Sequence, residues 1–177
     1  MTTTATTPLT LTALNAMERE DFVAALGEVF EYAPWVAEAA WEQRPFASVQ
    51  DMHRRMMAVV HASPREQVVR FLCGHPELSA HAVHAGTLTS DSQQEQQGAG
   101  LGDLPADQAD RLTTLNQAYR SKHGFPFIAC VRHYTRIGLF AELTSRSERD
   151  TDNELGEALR QIGFITGLRL QQRVQAA

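Results

Sequence analysis

Apart from the apolar run Phe127 to Val131, no stretch of the chain is rich in β-formers with the strict alternation of a half-buried strand. A sheet built on that one run would have no partner. Apolar residues recur instead at helical spacing, which predicts an all-α fold and makes Phe127 to Val131 itself a helix. The 177 residues suit one domain with a sizeable core. The expectation is a single compact domain of seven to nine helices over 11–175, with a long C-terminal helix. A Thr-rich, flexible N-terminal tail over 1–10 precedes it.

Local signals divide the helices. Leu14, Met17, Phe22, Val23, Leu26, Val29 and Phe30 keep helical spacing with a break near Glu18. Pro34 suits the first turn of a helix through Trp41, and Pro45 limits it. Trp35 and Trp41, amid Ala and Val, read as core. Ser48 with Asp51 resembles a capping box before Met52, Met56, Val59 and Val60, and Ser63-Pro64-x-Glu66 resembles another before a helix ending at Cys73. Asp103-Leu104-Pro105 opens a helix carrying Leu112, Leu115 and Tyr119, which Gly124 closes. Ile137 to Leu143 forms another, Ser145 to Asn153 a charged loop, and Glu154 to Gln175 the final helix.

Between Gly74 and Gly102 lie polar residues that neither core nor ordinary surface explains. His75 precedes Pro76, which restricts it to extended geometry at the exit of the helix ending near Cys73. Ser92, Glu95 and Gln96 are spaced three and four apart, so a helix places hydroxyl, carboxylate and amide on one face. Gly98-Ala99-Gly100 ends that helix. Taken alone, His75 fits a capping histidine, Glu95 a solvated carboxylate and Ser92 a cap. Arg169 follows Leu155, Leu159, Ile162 and Thr166 by fourteen, ten, seven and three residues, which at about 100° per residue puts it on the final helix's inward stripe. Either its stem packs while its head reaches water, or its guanidinium holds a carboxylate or carbonyl in a pocket.

In order along the chain stand Trp41-Glu42-Gln43-Arg44-Pro45-Phe46, His75-Pro76-Glu77-Leu78, Thr87-Leu88-Thr89, Ser92-x-x-Glu95-Gln96-x-Gly98-Ala99-Gly100-Leu101, Leu115-Asn116-x-x-Tyr119 and Gly124-Phe125-Pro126-Phe127-Ile128. Over Ala16 to Arg173 this pattern resembles the 2-oxo-4-hydroxy-4-carboxy-5-ureidoimidazoline (OHCU) decarboxylases of purine breakdown. The resemblance implies a carboxy-lyase that converts OHCU to (S)-allantoin, linked to uricase and hydroxyisourate hydrolase, and a homodimer. It implies His75 as general acid/base, with Glu95 as its catalytic companion. Ser92, Gln96 and Arg169 would bind substrate, with main-chain groups of Pro76, Phe127, Ile128, Ala129, Cys130 and Val131. No cofactor is expected, because the substrate's own C=N can take up the electrons that carbon dioxide leaves behind. The chain departs from the family at Glu77, Ser79-Ala80 and His123, where Asp, Ala-Gly and Phe are usual.

Two rival readings belong to other classes. One is a non-catalytic ureide-binding or partner-binding relative. The other is a zinc-dependent amidohydrolase using His75, His81 and His84, the last two sharing a helical face. Neither a phosphate-binding loop nor a nucleophile elbow is present. With 16 basic and 21 acidic residues and no basic cluster, neither nucleic acid nor an anionic membrane is an expected partner. Cys73 and Cys130 make no disulfide framework, and the start lacks a signal-peptide pattern, so a cytoplasmic location is expected.

Overall fold

The structure is a computed structural model that describes residues 9–175. Over them run ten α-helices and one pair of two-residue strands, so the fold is all-α. Two six-residue segments, Leu11–Ala16 and Ala80–Ala85, stand as helices of their own and carry the count past nine. Contacts gather the chain into two compact units, one from the chain up to Ser63 and from Thr166 on, the other from Pro64 to Ile165. Residues 1–8 of the expected tail lie outside the described residues. Leu9–Thr10 (β1) pairs in parallel with Val174–Gln175 (β2).

In the first unit, α1 (Leu11–Ala16) and α2 (Arg19–Leu26) are separated at Met17 and Glu18, both extended. A 3-10 turn, Gly27–Phe30, leads to α3 (Pro34–Trp41), with Pro in its first turn, and then to α4 (Val49–His61). Ser48 Oγ accepts from Asp51 N–H (2.9 Å) and Asp51 Oδ2 from Ala47 N–H (3.1 Å), so the predicted capping box closes one residue early. Phe22, Leu26, Met52, Met56 and Val60 are wholly buried, each stabilising the fold by about 1.5–3 kcal/mol. Trp35 and Trp41 are only half-buried, correcting the core reading. The indole of Trp41 donates to Met17 O (3.0 Å), and Val36, Ala37 and Ala40 fill the interior instead. Arg44 lies over the Trp41 ring, donates to Asn15 O and Met17 O, and thereby closes α1. The Trp41 to Phe46 motif is thus a scaffold motif.

The second unit holds α5 (Arg65–Cys73), α6 (Ala80–Ala85), α7 (Ser90–Gly98), α8 (Ala106–His123), a 3-10 turn at Val131–His133, α9 (Arg136–Ser147) and the part of α10 (Thr151–Arg173) that precedes Thr166. Ser63 does not cap α5, because its hydroxyl donates back to Val59 O (2.9 Å) and Pro64 takes the cap position. Gly86, Gly100 and Gly124 take the left-handed conformation that lets the chain leave α6, α7 and α8. The expected loop from Ser145 to Asn153 shrinks to residues 148–150. Asp150 Oδ1 accepts from Asp152 and Asn153 N–H and starts α10 early, while Arg146 and Glu154 are buried as a pair rather than solvated.

Phe127 to Cys130 is neither helix nor strand, which overturns the predicted helix. Pairing without a neighbouring strand comes from side chains. Arg146 Nη1 donates to Ile128 O (2.9 Å) and Gln161 Oε1 accepts from Cys130 N–H (2.8 Å), so these two buried main-chain groups are satisfied without regular structure.

Candidate active site

His75 lies just past α5, its N–H donating to Leu72 O (3.0 Å), and its side chain is half-buried. The segment after it is held by three side chains from two helices. Gln96 of α7 accepts from Ser79 N–H (3.0 Å) and donates to Glu77 O (3.1 Å). Asn116 of α8 donates to Leu78 O (2.8 Å), and Arg120 of α8 reaches Glu77 at 3.5 Å. Just ahead of His75, Cys73 Sγ donates to Gly124 O (3.3 Å) at the end of α8. A short run that begins at a proline would otherwise be a mobile loop; these bonds give His75 a fixed platform.

Thr89 caps α7 by accepting from Ser92 N–H (3.4 Å), so Ser92 is released from that duty. Ser92 and Gln96 are buried and Glu95 half-buried, as one helical face requires. The face was legible; the use of Gln96 as a clamp on the histidine loop was not. Gln93, read as solvated, donates to Val83 O (2.9 Å) and ties α7 to α6. Helix α7 also packs on the Val131–His133 turn, which directly follows the Phe127 to Cys130 segment.

Behind the strip is a buried polar network that sequence reasoning missed. Arg146 Nε donates to Glu154 Oε1 (2.6 Å), with Nη2 2.5 Å from the same oxygen, and Tyr119 Oη donates to it as well (2.5 Å). The Arg146 guanidinium lies 4.6 Å from the centre of the Phe127 ring. Burial, and then the bond to Glu154, push the Tyr119 phenol well above its ordinary pKa, so it remains a donor. One signal was available: Glu154, Ala158, Gln161 and Ile165 step by four, three and four along the buried face of α10.

Arg169 is buried in the first unit, which rules out the reading of a head reaching water. Its Nη2 pairs with Glu31 Oε1 at 2.7 Å and its Nη1 donates to Val29 O (3.2 Å). Glu31 is itself buried and holds φ 57°, ψ −125°, a strained conformation for a residue with a side chain. No sequence signal marked Glu31. Also in this unit, His53 Nε2 meets Thr166 Oγ1 at 2.9 Å, and burial holds its pKa below the ordinary imidazole value.

His81 and His84 are exposed on α6, and among the described residues no group of three or more His, Cys, Asp or Glu side chains is placed to hold a metal ion. The three-histidine reading therefore has no geometric support. His123 is buried at the end of α8, with Nδ1 3.0 Å from Thr151 Oγ1 and its ring 4.6 Å from that of Tyr119, filling the place of the family's usual Phe.

A sequence profile described as OHCU decarboxylase matches residues 15–171. The mouse 2-oxo-4-hydroxy-4-carboxy-5-ureidoimidazoline decarboxylase is 38% identical over 89% of this chain and 88% of its own. The uric acid degradation bifunctional protein of Bacillus subtilis is 35% identical over 91% of this chain, which spans 32% of that longer protein. A crystal structure of (S)-allantoin synthase superimposes with a TM-score of 0.75 at 26% identity, covering 95% of this chain and 54% of that one. With the profile spanning almost the whole chain and the mouse relative matching along nearly its full length, the chain belongs to the OHCU decarboxylase family.

Proposed function

We propose that the protein is a carboxy-lyase that decarboxylates OHCU to (S)-allantoin, with His75 as general acid/base. The observation that carries the reading is the Gln96 clamp, which ties the His75 loop to the helix bearing Ser92 and Glu95 and so gives the family's pattern a physical basis. In OHCU the carboxylate sits on a hydroxyl-bearing carbon next to a ring C=N. When the C–CO2 bond breaks, its electrons form a C=C bond and the imine pair moves to nitrogen, which takes a proton. The enol hydroxyl then loses its proton while the carbon bearing the ureido arm gains one, on one face only. The substrate's own imine thus serves as the electron sink, and the protein's task is orientation and proton delivery.

An imidazole is suited to that delivery near neutral pH. Glu95 hydrogen-bonds the hydroxyl or ureido group in this scheme, and Ser92 and Gln96 bind the polar heterocycle. Gln96 has a lone pair and an N–H left beyond its two loop contacts. Main-chain groups of Pro76 and of Phe127 to Val131 line the pocket, and Arg169 holds the carboxylate or a ureido carbonyl. We also infer a homodimer, a place beside uricase and hydroxyisourate hydrolase, and a cytoplasmic setting in keeping with two free cysteines. Among the described residues, no helix is long and apolar enough to cross a membrane.

The test generates OHCU in place from urate with uricase and hydroxyisourate hydrolase and follows allantoin by circular dichroism, with and without a chelator. Rapid, chelator-resistant formation of the S enantiomer is expected. Only slow racemic product would move the chain to the ureide-binding reading, and chelator sensitivity to the metal one.

A further inference from the structure

The strip Phe127 to Val131 is buried throughout, so each main-chain group in it needs a partner. Two are supplied by side chains of neighbouring helices: Arg146 takes the carbonyl of Ile128 and Gln161 takes the N–H of Cys130. These groups flank Ala129. In extended backbone the carbonyl of one residue and the N–H of the residue two further on point the same way, while the N–H and C=O of the residue between point the opposite way. With the Ile128 carbonyl and the Cys130 N–H both taken by α9 and α10, extended backbone at Ala129 turns its own pair to the other side. Among the described residues, neither Ala129 group has a hydrogen-bond partner.

Both side chains are themselves held in register. Gln161 Nε2 donates to Glu157 Oε1 (2.7 Å) and reaches Tyr134 Oη (3.3 Å), which leaves Oε1 facing Cys130. Arg146 is fixed by Glu154, by Tyr119 through that carboxylate, and by the Phe127 face. Arranged this way, a donor and an acceptor on one residue match the N–H and C=O of a lactam or urea edge, the pairing that joins two strands.

We propose that Arg146 and Gln161 are positioning residues of the reaction: by taking the Ile128 carbonyl and the Cys130 amide they present the Ala129 N–H and C=O to a lactam or ureido edge of the substrate. This rests on the reading of the site as an OHCU decarboxylase. Substrate grip, not chemistry, is what the pair controls, so its loss appears in KM.

Gln161→Met removes the acceptor at similar volume, and Ala129→Pro removes the donor directly in a conformation that extended backbone allows. Each raises KM for OHCU about tenfold, the loss of one good hydrogen bond, with kcat within about twofold. The double variant is little worse than the weaker single one, because Gln161 acts only through the Ala129 groups that it positions. An unchanged KM in folded variants, a fall confined to kcat, or additive losses would overturn the proposal. Should the variants not fold, amide hydrogen exchange in the unaltered protein decides: saturating (S)-allantoin slows exchange at Ala129, and unchanged exchange there overturns the proposal. If the unaltered protein itself fails to turn over OHCU, the decarboxylase reading fails instead.

Discussion

The guanidinium of Arg169 carries two demands at once. It pairs with a buried carboxylate of its own chain, Glu31, and in the proposed mechanism it also meets the substrate. Arg169→Ala is therefore expected to do more than raise KM. It removes the guanidinium from the buried Arg169–Glu31 pair, at a cost of about 3–5 kcal/mol. Adding Glu31→Gln recovers most of that stability without restoring KM, since the carboxylate no longer needs a partner while the substrate still lacks its own. Urea denaturation and steady-state kinetics on the single and double variants separate the two effects; equal stability of Arg169→Ala and the parent would contradict the buried pairing. The sequence placed Arg169 on the inward stripe by its spacing from Leu155, Leu159, Ile162 and Thr166. It gave no hint of Glu31, which precedes Arg169 by most of the chain and whose backbone strain no propensity foretells.

Helices were legible where local chemistry ends them. Pro34 opens α3, Gly124 closes α8, and the break after Ala16 falls where the apolar spacing stumbles. The Phe127 to Cys130 segment was misread because its partners, Arg146 and Gln161, are side chains from distant helices, and local periodicity is silent about those. Helix α4 shows the same limit. Its apolar face was plain, but His53 on its flank contacts Thr166 and crowds Gly167, where a Cβ would come within 3.3 Å of the ring. Burial disfavours the charged form of His53, so the unfolded chain takes up the proton first as pH falls through about 6.5. Its contribution to stability is complete above that value and is lost between it and the lower folded pKa. Denaturation midpoints should fall on acidification across this window, and His53→Gln should flatten the fall; an identical pH profile would contradict the assignment.

For the whole molecule, the missing sheet signal was enough to give an all-α chain, and the ordered motifs were enough to give its family. What those motifs do physically had to come from the fold. The Trp41 to Phe46 motif closes α1, Asn116 holds the loop after His75, and Tyr119 buttresses a buried carboxylate behind the strip. In the proposed reaction one imidazole on a held loop does the proton work, served by residues that hold others in place. Its most direct test sets the protein beside His75→Ala at equal concentration, following (S)-allantoin from freshly generated OHCU by circular dichroism. Rapid S product is expected from the parent and, from a variant with unchanged far-ultraviolet spectrum, a rate lower by about 10²–10⁴-fold or indistinguishable from the racemic background. Equal rates and equal enantiomeric excess would contradict it.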